Sequence, residues 1–302
     1  MVTIPVLLRE LRAQFLPASV LPVLLGTAMA FARAGAFDAP VFALTLAAVV
    51  LVHLGTNVSN DYFDHRSGND EFNTQFVRPF TGGSRLIQEG LLSPRAVLAL
   101  AIVLLSLAVA AGAALAATRG PSILMLGAIG IASGLFYVAP PFRFAARGVG
   151  EILIGINFGV LCVMGAYYVQ TRTVTWESFV ASLPLAVLIA AVVFINEFQD
   201  MEADARAGKR TLVVRLGRRK ASRVYGFVAA AAFAPVVAGV AARLLPPHAL
   251  VSLAALPAAL RAAAVARRRY DSPKELAPAN ALTILAHTLT GALLAAGYLL
   301  AR

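Results

Sequence analysis

An all-α, polytopic membrane protein with nine transmembrane helices is the fold this sequence predicts, and three observations carry the prediction. Hydrophobic residues make up 59% of the 302 and charged residues 14%, with a mean hydropathy of +0.78, far from the balance of a soluble domain. Apolar runs of about 20 residues, the length that crosses ~30 Å of hydrocarbon, follow one another along the whole chain. The net charge of +11 is also unevenly placed. All but five of the 26 Lys and Arg fall at the N-terminus and in alternate loops, leaving Arg33, Arg119, Arg172, Arg243 and Arg302 for the other side. That asymmetry reads as membrane topology rather than nucleic-acid binding. It predicts an odd number of spans and a cytoplasmic N-terminus.

The expected spans are 14–33, 40–63, 95–117, 121–139, 149–170, 178–200, 221–243, 248–266 and 279–301. The first run resembles a signal segment, with Ala28-Met29-Ala30 as a cleavage-site lookalike, but it continues beyond that point and is read as a retained helix. Pro40, Pro94, Pro121 and Pro278 stand at span starts, where a missing N–H is harmless. Pro22, Pro184, Pro235 and Pro257 fall inside spans and predict kinks. Trp176, with Tyr167 and Tyr168, is expected at the outer interface, although the tyrosines could instead line a cavity. The single Cys162 excludes a disulfide framework and reads as a small buried apolar residue. One domain, 1–302, is expected, with helices 1–4 and 5–8 as a pseudo-repeat and helix 9 appended.

Two charged patches stand out against this background. Asn57, Asn60, Asp61 and Asp64 close the second span at i, i+3, i+4 and i+7, hence on one helix face. A patch of the same type, with Asn196, Glu197, Gln199, Asp200, Glu202 and Asp204, closes the sixth. Carboxylates at the mouth of a membrane helix are unfavourable unless they bind something. Each patch precedes a long polar loop, 64–94 or 201–220, and long loops are often functional. Carboxylate and amide oxygens suit Mg²⁺, and Mg²⁺ suits substrates with phosphate oxygens. A diphosphate held this way calls for basic neighbours. Arg78 and Arg85 follow the first patch and Lys209 and Arg210 the second, while Gly82-Gly83 would let backbone N–H groups approach an anion.

Other residues carry weaker signals. Arg143 either reaches the site or pairs with lipid phosphate. Glu151 complements a helix dipole. Asn157, inside span five, is expected to bond a neighbouring helix, and His287 to make a helix–helix contact. None of the four histidines has metal-ligand spacing. The run Arg215, Arg218, Arg219, Lys220 and Arg223 reads as a membrane-surface anchor. Gly148-Val149-Gly150 is too short for a dinucleotide fingerprint.

Asn60-Asp61-Tyr62-Phe63-Asp64, Asp200-Met201-Glu202-Ala203-Asp204 and the stretch from Gly208 to Gly217 resemble the UbiA superfamily of intramembrane prenyltransferases. The opening Phe15–Gly26 and the segment from Tyr137 to Gly159 are similar too, so the likeness covers nearly the whole chain. Within it the chain is most similar to the menaquinone branch, the 1,4-dihydroxy-2-naphthoate polyprenyltransferases. Gly68 stands where the ubiquinone branch has a third Asp, and Asp70 and Thr81-Gly82-Gly83-Ser84-Arg85 follow the menaquinone pattern. Glu197 and Gln199 depart from that branch's usual Asn-Asn-x-Arg-Asp.

The resemblance implies two Mg²⁺ ions held through Asn60, Asp61, Asp64, Asp70, Asp200 and Asp204. They would grip a polyprenyl diphosphate, with Arg78, Arg85, Arg143, Lys209 and Arg210 on the remaining oxygens. Asp64, Asp200 and Lys209 would be catalytic. Asn57, Phe76, Tyr137, Asn157 and Asn196 would line the prenyl and acceptor pocket, with Tyr137 or Phe76 shielding an allylic cation. An aromatic ring would attack that cation, and a naphthoate acceptor would lose CO₂. The expected setting is a prokaryotic inner membrane, among its lipids, with the site on the cytoplasmic side and no nucleic acid involved. Two rivals keep some of these features: a UbiA-type terpene cyclase without aromatic acceptor, and a cation channel or transporter selecting through the Asp clusters. The channel predicts acidic residues near mid-membrane, whereas these gather at span ends beside Arg and Lys.

Overall fold

The computed structural model describes residues 4–302, and within them the chain is helical with no strand. Two short elements, α1 (Ile4–Leu11) and a 3₁₀ turn (Ala13–Phe15), lead into α2 (Pro17–Ala34) and α3 (Ala39–Ser67). The latter ends beside the single turn α4 (Asn69–Phe72). After a long loop come α5 (Pro94–Arg119) and α6 (Ser122–Val138). The next span is composite: α7 (Gly150–Ile154), a π-helical turn (Gly155–Leu161) and α8 (Cys162–Thr171). Then follow α9 (Trp176–Arg206), the short α10 (Leu212–Leu216), α11 (Arg218–Ala231), α12 (Ala234–Ala241), a 3₁₀ stretch (Pro247–Ala255), α13 (Leu256–Arg269) and α14 (Ala277–Leu300).

Among the described residues eight helical segments are long and apolar enough to cross a membrane, not nine. The exception is the expected span 121–139. Its helix α6 has 17 residues, roughly 26 Å at 1.5 Å per residue, and falls short of full hydrocarbon thickness. The chain is an integral, multi-pass membrane protein.

Local chemistry sets the boundaries. Asp38 accepts from Val41 N–H at 3.1 Å and opens α3, and Ser93 does the same for Ala96 N–H at 3.2 Å at the start of α5. Thr175 and Ser178 form a reciprocal capping box on α9, satisfying donors that a helix start leaves open. Pro22 and Pro184 are absorbed inside α2 and α9, whereas Pro235 and Pro257 sit in the first turns of α12 and α13, where spans seven and eight break. Trp176 is exposed at the start of α9 and Tyr167 is buried.

The core is centred on α9, whose Leu188, Ala191, Phe194, Ile195 and Phe198 pack against α11, α13 and α14. A second cluster joins α2, α8 and α14 through Leu25, Met29, Val163 and Leu294. A smaller one, with Ile154, Ile189 and Val192 buried and Tyr137, Phe158 and Ile284 beside them, forms the floor beneath the acidic helix ends.

Candidate active site

Helix α3 stops at Gly68, whose left-handed φ of 75° lets its N–H reach back to Asp64 O and His65 O. The chain then folds under the helix end and delivers Asn69, Asp70 and Asn73. Helix α9 runs on to Arg206. There Gly208, at φ 73°, reverses the chain so that Lys209 N–H donates to Asp204 O at 2.7 Å. These two reversals close around one cavity of about 260 Å³.

Asn57, Asn60, Asp64, Asp70, Tyr137, Asn196, Asp200, Asp204 and Lys209 all line that cavity, as the sequence predicts. The two ends brace one another reciprocally. Lys209 Nζ, from the second, donates to Asp64 Oδ1 of the first at 2.6 Å and lies 3.9 Å from Asp204. Asn73 Nδ2, from the first loop, donates to Asp200 Oδ1 at 2.7 Å. Asn69 places its amide between Asp204 at 3.2 Å and Lys209 at 3.1 Å.

Charge balance at the site is negative: Asp64, Asp70, Glu197, Asp200 and Asp204 line the cavity against Arg12 and Lys209. Burial, reinforced by Asp64, pushes the Asp70 carboxyl up to about 7. Burial works against the Lys209 ammonium too, but Asp64 and Asp204 outweigh it and hold it above its ordinary value. Asn73 Oδ1 is buried without a partner. Excess buried carboxylate beside unpaired amide oxygen is a donor set that fits a hard divalent cation. Among the described residues no three His, Cys, Asp or Glu side chains converge as a closed metal cage. Mg²⁺ commonly takes only one or two carboxylates together with substrate phosphates.

Several expected site residues lie elsewhere. Asp61, expected on the shared face, is turned away into a buried ion pair with Arg12 and accepts from Ser84 N–H at 3.0 Å. Gly83 makes room for that pair, since a Cβ there would stand 2.9 Å from Asp61 and 3.1 Å from Arg12. Arg78 is at the surface, donating to Glu89 at 2.6 Å. Glu89 also accepts from Arg9, and hydrogen bonds from Arg9 and Arg78 pull it down to about 2 despite an opposing burial effect. Arg85 lies over the Phe76 ring at 4.5 Å and donates to Asp70 O and Asn73 O, so it clamps the loop rather than facing the cavity. Phe76 packs beneath Gly82. Arg143 and Arg210 do not line the cavity, and Arg210 is held by its backbone to Ala146 O. Asn157 bonds Ser133 across to α6 at 2.7 Å, the interhelical contact expected of it.

His287 is buried on α14. It lines the cavity, and its buried Nε2 has no hydrogen-bond partner. The departures in the second motif part company: Glu197 lines the cavity and accepts from Val213 N–H at 3.3 Å, while Gln199 faces Asn280 at 2.8 Å. Arg12, His53, Asn69 and Asn73, which the sequence motifs do not include, also line the site. His53 alone carried a usable signal, because the face of Asn57 and Asn60 extends back one turn to it. It bonds Ser19 at 2.9 Å and meets the edge of Phe158. Arg12 and the two asparagines are brought in by chain reversals that periodicity does not describe.

Comparison with known proteins is consistent across three kinds of likeness. The family model described as the UbiA prenyltransferase family matches residues 19–289. A Mycobacterium tuberculosis relative named 1,4-dihydroxy-2-naphthoate octaprenyltransferase is 34% identical over 290 residues, covering 95% of this chain and 94% of its own. A Synechocystis relative named 2-carboxy-1,4-naphthoquinone phytyltransferase is 29% identical over 280 residues, covering 93% and 88%. Among solved structures, a UbiA homologue from Archaeoglobus fulgidus bound to DMAPP and Mg²⁺ superposes with a TM-score of 0.68 at 19% identity, over 95% of this chain and 98% of that one. The apo UbiA homologue from Aeropyrum pernix gives 0.69 at 20% identity over 93% and 96%.

Proposed function

We propose that this chain, which belongs to the UbiA prenyltransferase family and is a prenyltransferase, moves a polyprenyl group from its diphosphate to 1,4-dihydroxy-2-naphthoate in a Mg²⁺-dependent reaction. One observation carries the reading: two acidic helix ends, cross-braced by Lys209, Asn69 and Asn73, enclose a single cavity with an excess of carboxylate. The naphthoate acceptor and the setting in menaquinone biosynthesis rest on the names of the relatives at 27–34% identity. We place the site at the cytoplasmic face of a bacterial inner membrane, on the side where Lys and Arg concentrate.

Asp64, Asp70, Asp200 and Asp204, with Asn60, would hold Mg²⁺, which would neutralise charge on the leaving diphosphate. The chain's own part is positioning and electrostatics. Lys209 is fixed between Asp64 and Asp204 and presents its ammonium to the diphosphate oxygens, a preorganised charge that strengthens as the allylic C–O bond breaks. Arg12 adds a second buried positive charge at the cavity wall. Tyr137 and Phe158 offer aromatic faces to the developing cation, and the Ile154, Ile189 and Val192 floor keeps water from it. Asn57 and Asn196 give the ring acceptor hydrogen-bonding edges beside that floor.

The test is mass spectrometry of products from purified protein supplied with prenyl diphosphates and a panel of ring acceptors. A prenylated naphthoquinol that requires dihydroxynaphthoate and Mg²⁺ is expected. Prenylation of a different ring alone would replace the acceptor, and cyclic hydrocarbon formed without any acceptor would replace the reaction by cyclisation.

A further inference from the structure

Prenyl transfer to a hydroxylated ring moves a proton, and the residues named so far give it no destination. A ring carbon that attacks an allylic cation draws electron density from a ring hydroxyl, whose proton must leave as the carbonyl form appears. Imidazole is the side chain most often used for such a transfer. The carboxylates at the helix ends are already engaged, Asp64 by Lys209 and Asp200 by Asn73. Glu197 accepts from Val213 N–H at 3.3 Å. His287 lines the cavity, but its Nε2 is buried.

His53 is placed differently. It lines the cavity on the face of α3 that carries Asn57, Asn60 and Asp64, at i against i+4, i+7 and i+11. Two helical turns separate it from Asn60, roughly 10 Å along the axis at 1.5 Å per residue. That depth leaves room for a phosphoryl group and an allylic carbon before the ring acceptor begins. The imidazole meets Phe158 edge-on at 4.9 Å, so it borders the aromatic face offered to the developing cation.

Its orientation is fixed from the other side. Nδ1 lies 2.9 Å from Ser19 Oγ, in the first turn of α2, and that hydroxyl lies 3.0 Å from Leu16 O. Ser19 is fully buried, so bulk water does not compete for it. Its single proton, donated to Leu16 O, makes Oγ the acceptor toward His53. Nδ1 then carries the imidazole proton and Nε2 is the basic nitrogen. Nε2 has no hydrogen-bond partner among the described residues, because the one bond His53 makes is that to Ser19.

We propose that His53 is the base of the reaction, its Nε2 taking the proton of a ring hydroxyl on the acceptor, and that Ser19 fixes the tautomer that leaves Nε2 free. In this step the O–H bond breaks and its proton passes to Nε2. The oxygen's electron pair forms the ring carbonyl, a ring π pair forms the C–C bond to the allylic carbon, and the allylic C–O pair departs with the diphosphate. For a naphthoate attacked at the carbon bearing its carboxylate, loss of CO₂ returns a bonding pair to the ring, and the imidazolium returns its proton to the oxygen. The inference rests on the prenyl-transfer reading and asks only that the acceptor ring carry a hydroxyl.

Graded acceptors test it. Full-length wild type, His53→Gln and Ser19→Ala are compared in detergent with Mg²⁺ and a prenyl diphosphate, using ring acceptors of increasing hydroxyl acidity. With 1,4-dihydroxy-2-naphthoate, His53→Gln is expected to lower turnover about a hundredfold and Ser19→Ala by less, with the Michaelis constant for prenyl diphosphate unchanged in both. The distinguishing readout is rescue. The loss should shrink as the hydroxyl becomes more acidic, because its proton then needs less help to leave. A residue that only shapes the cavity would lose the same factor with every acceptor. That uniform loss, or unchanged turnover in His53→Gln, would overturn the proposal. Should His53→Gln fail to fold, Ser19→Ala decides by the same dependence on acidity. A wild type that prenylates no hydroxylated ring would overturn the prenyl-transfer reading, and this inference with it, before either variant is measured.

Discussion

The two acidic helix ends look alike in sequence and are used differently in the fold. At the end of α9, Asp200 and Asp204 both face the cavity, steadied by amides from Asn73 and Asn69, with Lys209 3.9 Å from Asp204. At the end of α3, Asp64 faces the cavity with a cation, Lys209, already on it, and Asp61 is committed to Arg12 and the Ser84 backbone. One end is therefore a pair of site carboxylates, and the other splits into one site carboxylate and one structural carboxylate. Spacing within a motif identifies candidates. The partners brought by the rest of the chain decide which oxygens remain to bind a ligand.

The largest effect should come where the two ends are equivalent. Asp64→Ala and Asp200→Ala are each expected to lower prenyl transfer about a thousandfold or more while the protein still folds and inserts, measured as product by mass spectrometry. Near-normal product from either variant would remove that residue from the site.

Asp61→Ala probes the asymmetry itself. It leaves the buried Arg12 guanidinium without its carboxylate, and breaking such a pair destabilises by about 3–5 kcal/mol. The expected signature is a lowered melting temperature. A variant of normal stability that no longer responds to Mg²⁺ would instead make Asp61 a ligand and restore the symmetry of the two ends.

Asn73→Ala sharpens the comparison from the other side, because it removes the neutral support of Asp200. A decrease of about tenfold in turnover is expected, with the Michaelis constant for prenyl diphosphate rising more than that for the acceptor. An unchanged diphosphate constant would show that Asp200 does not depend on this amide.

The smallest effect is one of pH. The Asp70 carboxyl stands at about 7 against an ordinary 3.8 because burial and Asp64 favour its protonated form. Between those values the folded protein holds the proton more tightly than the unfolded chain, so stability falls as pH rises. Mg²⁺ favours the ionised form, and the rise in melting temperature that it causes should grow from about pH 5.5 to about pH 8. A rise independent of pH would separate Asp70 from the cation.

Much of this was legible in the sequence, for identifiable reasons. Membrane spans announce themselves by length and hydropathy, and each of the nine expected runs is helical, some in more than one segment, with α6 falling short of a full crossing. Helical spacing placed Asn57, Asn60 and Asp64 on one cavity wall, and the second motif did the same for Asn196, Asp200 and Asp204. Basic residues were harder. Lys209 follows a reversal at Gly208 and turns inward, whereas the adjacent Arg210 turns out, and nothing in the local composition distinguishes them. Arg78 and Arg85 belong to the loop's own bracing. Arg12 reaches the site from before the first span.

The central claim is that both helix ends act on one diphosphate. Mg²⁺-dependent affinity for a polyprenyl diphosphate, measured by calorimetry for wild type, Asp64→Ala, Asp200→Ala and the double variant, tests it most directly. If the ends share a single ligand, each single variant loses the Mg²⁺-dependent part and the double variant loses little more. Losses that simply add, or a single variant that keeps full Mg²⁺ dependence, would contradict it.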